Sequence, residues 1–502
     1  MGGAGRVRRH PAPDAMADLP LAQPHLGLFD NPAYRPTAVQ RLGLALVALG
    51  AVAGVVALAG DLGARHPVAF GAAFLGGLGV GGAVYALGGL ARAPGAWEGT
   101  MFSSNEARGA VGWTAGVVLT GLYVVLYFYP GALSGLIPLG DPLSRLVRGQ
   151  PATLANGGQW FLYSTLYTLA VAVMGVRALV RYRHSRYHVV RTLSVVFFQV
   201  VIAFALPYLL VRLQQPELYL SYTWPLDYDL FWPTKVAELR AAGLLGVAMV
   251  VWGVVLIALA TPVLTYFYGK RWYCSWVCGC GGLAETAGDP YRHLSDKSLG
   301  AWKLERWLVH GVLAAIVAGT ALLWAAALTN VGWLDGLAGT FSGTYGLLIG
   351  SIFAGVVGVG FYPVFGSRVW CRFGCPMAAV LGLQQRFFSR FRITTNGGQC
   401  ISCGACSAYC EMGIDVRWYA QRGQNVVRAS CVGCGICAAV CPRGVLRLEN
   451  GRDTSGASRA GRPVNNLISD LDVLDGAWDA APPAAAPPAP VGRGGATVER
   501  MA

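Results

Sequence analysis

Eight stretches of about twenty apolar residues, each long enough to cross a bilayer, constrain this chain more than any other feature. They run over about Leu42–Gly60, Val68–Leu90, Ala110–Tyr129, Trp160–Val180, Leu193–Leu213, Leu244–Tyr268, Trp307–Leu328 and Tyr345–Phe365. Only 13% of the residues are charged, where soluble domains carry roughly 25%. The pattern predicts an all-α polytopic membrane protein.

Charge orients the spans. The net charge is +14, and the positive-inside bias accounts for it more simply than a nucleic-acid partner, so no nucleic acid is expected. The loop "RYRHSRYHVVR" holds Arg181, Arg183, Arg186 and Arg191, and the segment after the sixth span opens with Lys270 and Arg271. Both are expected on the cytoplasmic side, as is the basic N-terminus. An even number of spans then gives an N-in/C-in arrangement. The first run starts too far in, and is too long, for a cleavable signal, and reads as a signal anchor. The loop "PELYLSYTWPLDYDLFWPTK" falls outside. Its aromatic residues read as an interfacial belt, with a docking surface for a periplasmic partner as the alternative.

All 13 cysteines lie between Cys274 and Cys441, at the short spacings of metal or redox chemistry. "CISCGACSAYC" contributes Cys400, Cys403, Cys406 and Cys410; "CVGCGICAAVCP" contributes Cys431, Cys434, Cys437 and Cys441. Each is C-x2-C-x2-C-x3-C, in which the fourth cysteine ligates the other cluster. Two [4Fe–4S] clusters are expected, one on Cys400, Cys403, Cys406 and Cys441, the other on Cys431, Cys434, Cys437 and Cys410. Zinc would call for Cys pairs or His partners instead. Glu411 stands where a proline usually follows the fourth cysteine.

A second motif repeats inside the chain. "RWYCSWVCGCGG" follows the sixth span and "RVWCRFGCPMAA" the eighth, both fitting R-x-[YW]-C-x-[WF]-x-C. If each opens a helix, its cysteines share one face, and both motifs are expected at the cytoplasmic membrane edge. Cys274, Cys278, Cys371 and Cys375 then supply four thiolates, the number for a third cluster or a tetrahedral metal. Redox dithiols and plain packing are the alternatives. Cys280 has no counterpart in the second copy. It replaces a ligand, resolves a disulfide, or does nothing.

From about Arg181 to Asn450 the chain resembles the NapH/NosR/CcoG group of membrane-bound polyferredoxins, on Cys274, Cys278, Cys371, Cys375, Pro376 and the eight ferredoxin cysteines. The resemblance implies electron transfer at the bacterial inner membrane. The redox partners expected are a cytoplasmic or quinol donor and a membrane or periplasmic reductase; the alternative role is metal reduction or maturation for a copper enzyme or respiratory oxidase or reductase. Gly279 and Cys280 stand where the family has proline, and four extra spans precede the shared core, so the subfamily is open.

The organisation expected is a disordered basic N-terminus over 1–40, an extra four-helix region over 41–181, and a four-helix core with the C-x3-C motifs over 182–397. A cytoplasmic bacterial-type 2[4Fe–4S] ferredoxin-like α+β domain follows over 398–450, then a disordered Ala/Pro-rich tail over 451–502. "QQRFFSRFRITT" reads as an amphipathic helix on the membrane face or as a plain connector. No haem is expected, because paired histidines are lacking: His310 has no evident partner, and His184 and His188 read as solvated or headgroup-facing. No flavin is expected either, "DTSGAS" being a chance likeness. "GGLGVGG", Gly76 to Gly82, reads as close helix packing.

Overall fold

The computed structural model describes residues 36–60, 62–91, 109–329, 331–395 and 399–450. The expected basic N-terminus, the Ala/Pro-rich tail and "DTSGAS" lie outside them. Among the described residues eight helices are long and apolar enough to cross a membrane: Ala38–Ala59, Pro67–Ala91, Gly109–Phe128, Gly158–Arg181, Arg186–Arg212, Leu244–Tyr268, Leu299–Thr329 and Gly332–Val357. They are numbered here as the first to eighth spans.

The first two spans pack backbone to backbone. A Cβ on Gly77 would lie 2.7 Å from the Gly50 Cα, and one on Gly81 2.7 Å from the Val47 nitrogen. Only glycine permits that approach, as "GGLGVGG" suggests.

The eighth span differs from expectation, starting at Gly332 rather than Tyr345 and ending at Val357 rather than Phe365. Asp335, Thr340 and Ser342 lower the hydropathy of its first half. Helix geometry satisfies the two hydroxyls: Thr340 donates to the Gly336 carbonyl at 2.9 Å, and Ser342 to Gly339 at 3.0 Å. The fifth span likewise begins earlier, at Arg186, with the Ser185 hydroxyl capping it by accepting from the His188 N–H.

Beyond the spans, helix Pro376–Phe388 leads into a small lobe. Strands β1 (Arg392–Thr395) and β2 (Leu446–Glu449) pair antiparallel, Arg392 opposite Glu449 and Thr395 opposite Leu446. Between them two short helices, Ala405–Ala408 and Ile436–Ala439, each start after a left-handed glycine, Gly404 at φ 78° and Gly435 at φ 80°. That matched pair shows an internal repeat in backbone form. The lobe packs on the ends of the spans, where the Tyr187 hydroxyl donates to the Gly433 carbonyl at 2.9 Å.

Candidate functional site

The lobe sorts its eight cysteines into two sets. Cys400, Cys403, Cys406 and Cys441 line one cavity; Cys410, Cys431, Cys434 and Cys437 line another. Each set draws three cysteines from one run and one from the other. Sulfur-directed backbone donors repeat with the same offset, the Ile414 N–H to Cys410 Sγ at 3.4 Å and the Val445 N–H to Cys441 Sγ at 3.3 Å. Such donors favour thiolate. Four thiols around a largely apolar cavity fit a cubane.

The repeated membrane motif has a geometry of its own. Its cysteines do not share one face of a helix. Cys274 closes a short helix, Arg271–Cys274, and Cys278 caps the next, Gly279–Glu285. In the second copy Cys371 lies in a wide turn, Trp370–Gly374, and Cys375 caps Pro376–Phe388. Both second cysteines thus sit at helix N-termini. The Ala378 N–H reaches Cys375 Sγ at 3.4 Å.

All four thiols are buried in one cluster, with Cys280 packed against it. Arg368 links the copies, donating from Nη1 to the Cys274 carbonyl at 3.1 Å and reaching Cys371 Sγ at 3.6 Å. Its counterpart in the first copy, Arg271, stacks on Phe391 at 4.6 Å instead.

The motif is not at the ends of the spans, where it was expected. It folds back into the bundle. The Tyr167 hydroxyl donates to the Gly279 carbonyl at 2.6 Å, Gln199 Nε2 to Val277 at 2.8 Å, and Ser194 to Trp276 at 3.1 Å. Tyr167 and Gln199 lie near the middle of the fourth and fifth spans. Irregular backbone is tolerated at that depth only where protein satisfies it, and these three side chains do so. From the other end of the bundle the aromatic loop 216–232 descends to meet it. Trp252 Nε1 donates to the Leu220 carbonyl at 3.2 Å and the Tyr273 hydroxyl to Ser221 at 3.0 Å. Part of this loop is packed inside the bundle, where Ser221, Thr223 and Leu230 are buried, while Glu217 and Leu220 are exposed.

Between thiol motif and lobe lies a buried ionic lattice that the sequence reading missed. Asp289 takes Arg177 at 3.2 Å, Arg181 at 2.9 Å and Arg292 at 2.8 Å. Glu285 takes Arg191 at 3.0 Å, Arg292 at 2.5 Å and Arg368 at 2.7 Å. Glu411 takes Arg292 at 2.6 Å and Arg368 at 3.0 Å. Arg191 also donates to the Cys434 carbonyl at 2.5 Å. Five guanidiniums thus face three carboxylates. Glu285, Glu411 and Cys434 bring ligand-type atoms within 4.8 Å of one another, but the arginines already occupy them. Arg181 and Arg191 are therefore interior, not solvated loop residues. His188 is also buried, its Nδ1 at 2.6 Å from the Ser185 hydroxyl. The available signal was Arg177 inside an otherwise apolar span, since an ionisable residue there demands a partner.

Residues 250–300 and 346–394 match the family model described as a 4Fe-4S binding domain, and residues 399–446 the model of a 4Fe-4S dicluster domain. The chain carries iron–sulfur binding domains. The first match spans both copies of the membrane motif, and the second spans both four-cysteine runs. A protein of Escherichia coli (strain K12) named "Putative electron transport protein YccM" is 32% identical over 171 residues, covering 29% of this chain and 43% of that relative. The chain thus spans less than half the length of the curated relative it matches. No solved structure matches it.

Proposed function

We propose that this protein is an iron–sulfur electron carrier of the bacterial cytoplasmic membrane, linking a donor to a membrane or periplasmic reductase, with the lobe on the cytoplasmic face. The observation that carries this is the quartet Cys274, Cys278, Cys371 and Cys375, buried in the bundle and joined to the lobe through the Arg368 lattice. Support for the orientation comes from Arg183, Arg186, Lys270 and Arg271, which all lie at the lobe end of the spans.

The residues divide into three sets: Cys400, Cys403, Cys406 and Cys441; Cys410, Cys431, Cys434 and Cys437; and the membrane quartet. Bound there, [4Fe–4S] clusters would supply one-electron storage and transfer. The chain's own contribution is positioning and charge. A surplus of buried guanidinium favours added negative charge nearby. Ser194, Gln199 and Tyr167 pin the thiol loop deep in the bundle, so that it stands between the lobe and the far membrane face. The loop 216–232 meets it from that face through Ser221, which accepts from the Tyr273 hydroxyl.

A single zinc or copper ion on the quartet, the basis of a maturation role, fits less well. Sulfurs on a tetrahedral ion lie about 3.8 Å apart, from Zn–S bonds of about 2.3 Å. Among the described residues the thiol quartets form no grouping within 4.8 Å; that closeness is found for Glu285, Glu411 and Cys434. Iron analysis of the full chain tests the reading. About twelve irons per chain are expected, falling to about eight in Cys274→Ser/Cys371→Ser. Unchanged iron, or copper bound at these cysteines, would refute it.

A further inference from the structure

The seventh span is longer than a bilayer core. Its 31 residues, Leu299–Thr329, rise about 46 Å against a hydrocarbon thickness of about 30 Å. Lys303, Glu305 and Arg306 all lie in its first turns, and no Asp, Glu, Lys or Arg follows them in the helix. The surplus length therefore sets Arg306 and His310 at headgroup level. Trp307, Phe387 and Phe388 are exposed around them, as an interfacial aromatic belt requires.

At this level a cavity of 370 Å³ opens between the seventh span, helix Pro376–Phe388 and the lobe, within the usual size range of ligand sites. Its wall carries Lys270, Arg306, His310, Arg386 and Arg428. The acid on the wall is Glu305, already held by Arg372 at 2.8 Å and by the Ser430 hydroxyl. Lys270 is 2% exposed, and its ammonium makes one hydrogen bond among the described residues, to the Ala429 carbonyl at 3.3 Å. A buried ammonium without a carboxylate is expensive. Arg306 and Arg386 face the rings of Trp302 and Phe387 rather than acids. Cation surplus, a buried ammonium with no carboxylate partner among the described residues and a mouth at headgroup level coincide.

We propose that this cavity binds the phosphodiester headgroup of an anionic phospholipid, held by Lys270, Arg306 and Arg386. Free phosphate shares the chemistry, but a mouth beside the span at headgroup depth favours the lipid. Cys371 lines the same cavity, so the bound anion lies beside the candidate membrane centre. The proposal does not depend on what that centre holds.

The test uses the purified full chain in detergent, with native mass spectrometry as readout and phosphatidylglycerol, phosphatidylcholine and inorganic phosphate as probes. Phosphatidylglycerol should be retained over phosphatidylcholine, and inorganic phosphate should not displace it. Arg306→Gln/Arg386→Gln should weaken retention about 25-fold, at about fivefold per cation removed. Lys303→Gln, exposed and off the cavity wall, should change nothing. Iron content reports folding; if the double variant loses iron, Arg306→Gln alone carries the test at about fivefold. Equal retention of both lipids, displacement by phosphate, or retention unmoved by the variants would overturn the proposal.

Discussion

Arg368 and Glu285 lie 2.7 Å apart in the interior, and each comes from one copy of the repeated thiol motif. Arg368 opens the second copy and Glu285 ends the helix Gly279–Glu285 into which the first runs, so their ion pair clamps the two together. The same guanidinium reaches Glu411 of the lobe at 3.0 Å. Cations exceed anions in this lattice, which makes the two partners unequal. Losing Glu285 leaves Arg191 with no carboxylate among the described residues and leaves Arg292 and Arg368 sharing Glu411, whereas losing Arg368 leaves both acids still paired with Arg292. Glu285→Gln should therefore destabilise by about 3–5 kcal/mol, and Arg368→Gln by clearly less. Denaturant unfolding of the full chain in detergent measures both; the reverse order would show that the surplus charge does not govern this lattice.

The crossed cysteine sets of the lobe predict an interaction between distant positions. If Cys441 serves the set of Cys400, then Cys400→Ser and Cys441→Ser each remove about four irons, and the double variant removes no more. Cys400→Ser/Cys410→Ser should instead remove about eight. Iron content and EPR spin counts distinguish these outcomes. An additive loss in the first pair would mean that each run keeps its own fourth cysteine.

Much of the fold was legible locally. The existence of eight spans follows from apolar runs that need no tertiary context, and the glycines of the second span announced a close packing partner. What stayed hidden depends on contacts far apart in sequence. Gly279 sits deep because Tyr167, 112 residues away, takes its carbonyl, and nothing near "CGCGG" encodes that. Asp289 and Arg177 are equally remote. Arg191 looked like part of a basic loop because its partners, Glu285 and the Cys434 carbonyl, come from segments far along the chain. The cysteine sets of the lobe, by contrast, lie within one short segment, so spacing alone was enough to group them.

The depth of the thiol loop rests on glycine. A Cβ at Gly281 would clash with the Cys274 carbonyl, lying 2.9 Å from its carbon, whereas one at Gly121 of the third span meets nothing within 4 Å. Backbone cannot yield as a side chain can. Gly281→Ala should therefore displace Cys274 from the quartet and lower iron by about four per chain, leaving the EPR signals of the lobe in place. Gly121→Ala should keep full iron and be neutral or slightly stabilising, as alanine favours helix by about 1 kcal/mol over glycine. Normal iron in Gly281→Ala would mean that the loop can shift without losing the site.

Asp289 sets the acid response. Burial pushes its carboxyl up, but the guanidiniums of Arg181, Arg292 and Arg177 outweigh this and hold it well below the usual carboxylate range, helped by the Tyr182 hydroxyl donating at 2.8 Å. A folded pKa below the unfolded value of about 3.9 means that the unfolded chain binds the proton first as pH falls. The contribution of Asp289 is thus complete above about pH 5 and is lost progressively as pH drops through 3.9 toward the folded value. Asp289→Asn should be less stable than the parent by about 3–5 kcal/mol at neutral pH, and the gap should narrow below about pH 4. Unfolding midpoints of both proteins from pH 3 to 7 provide the check. A gap that stays constant across that range would mean that Asp289 does not hold its proton response through the three arginines.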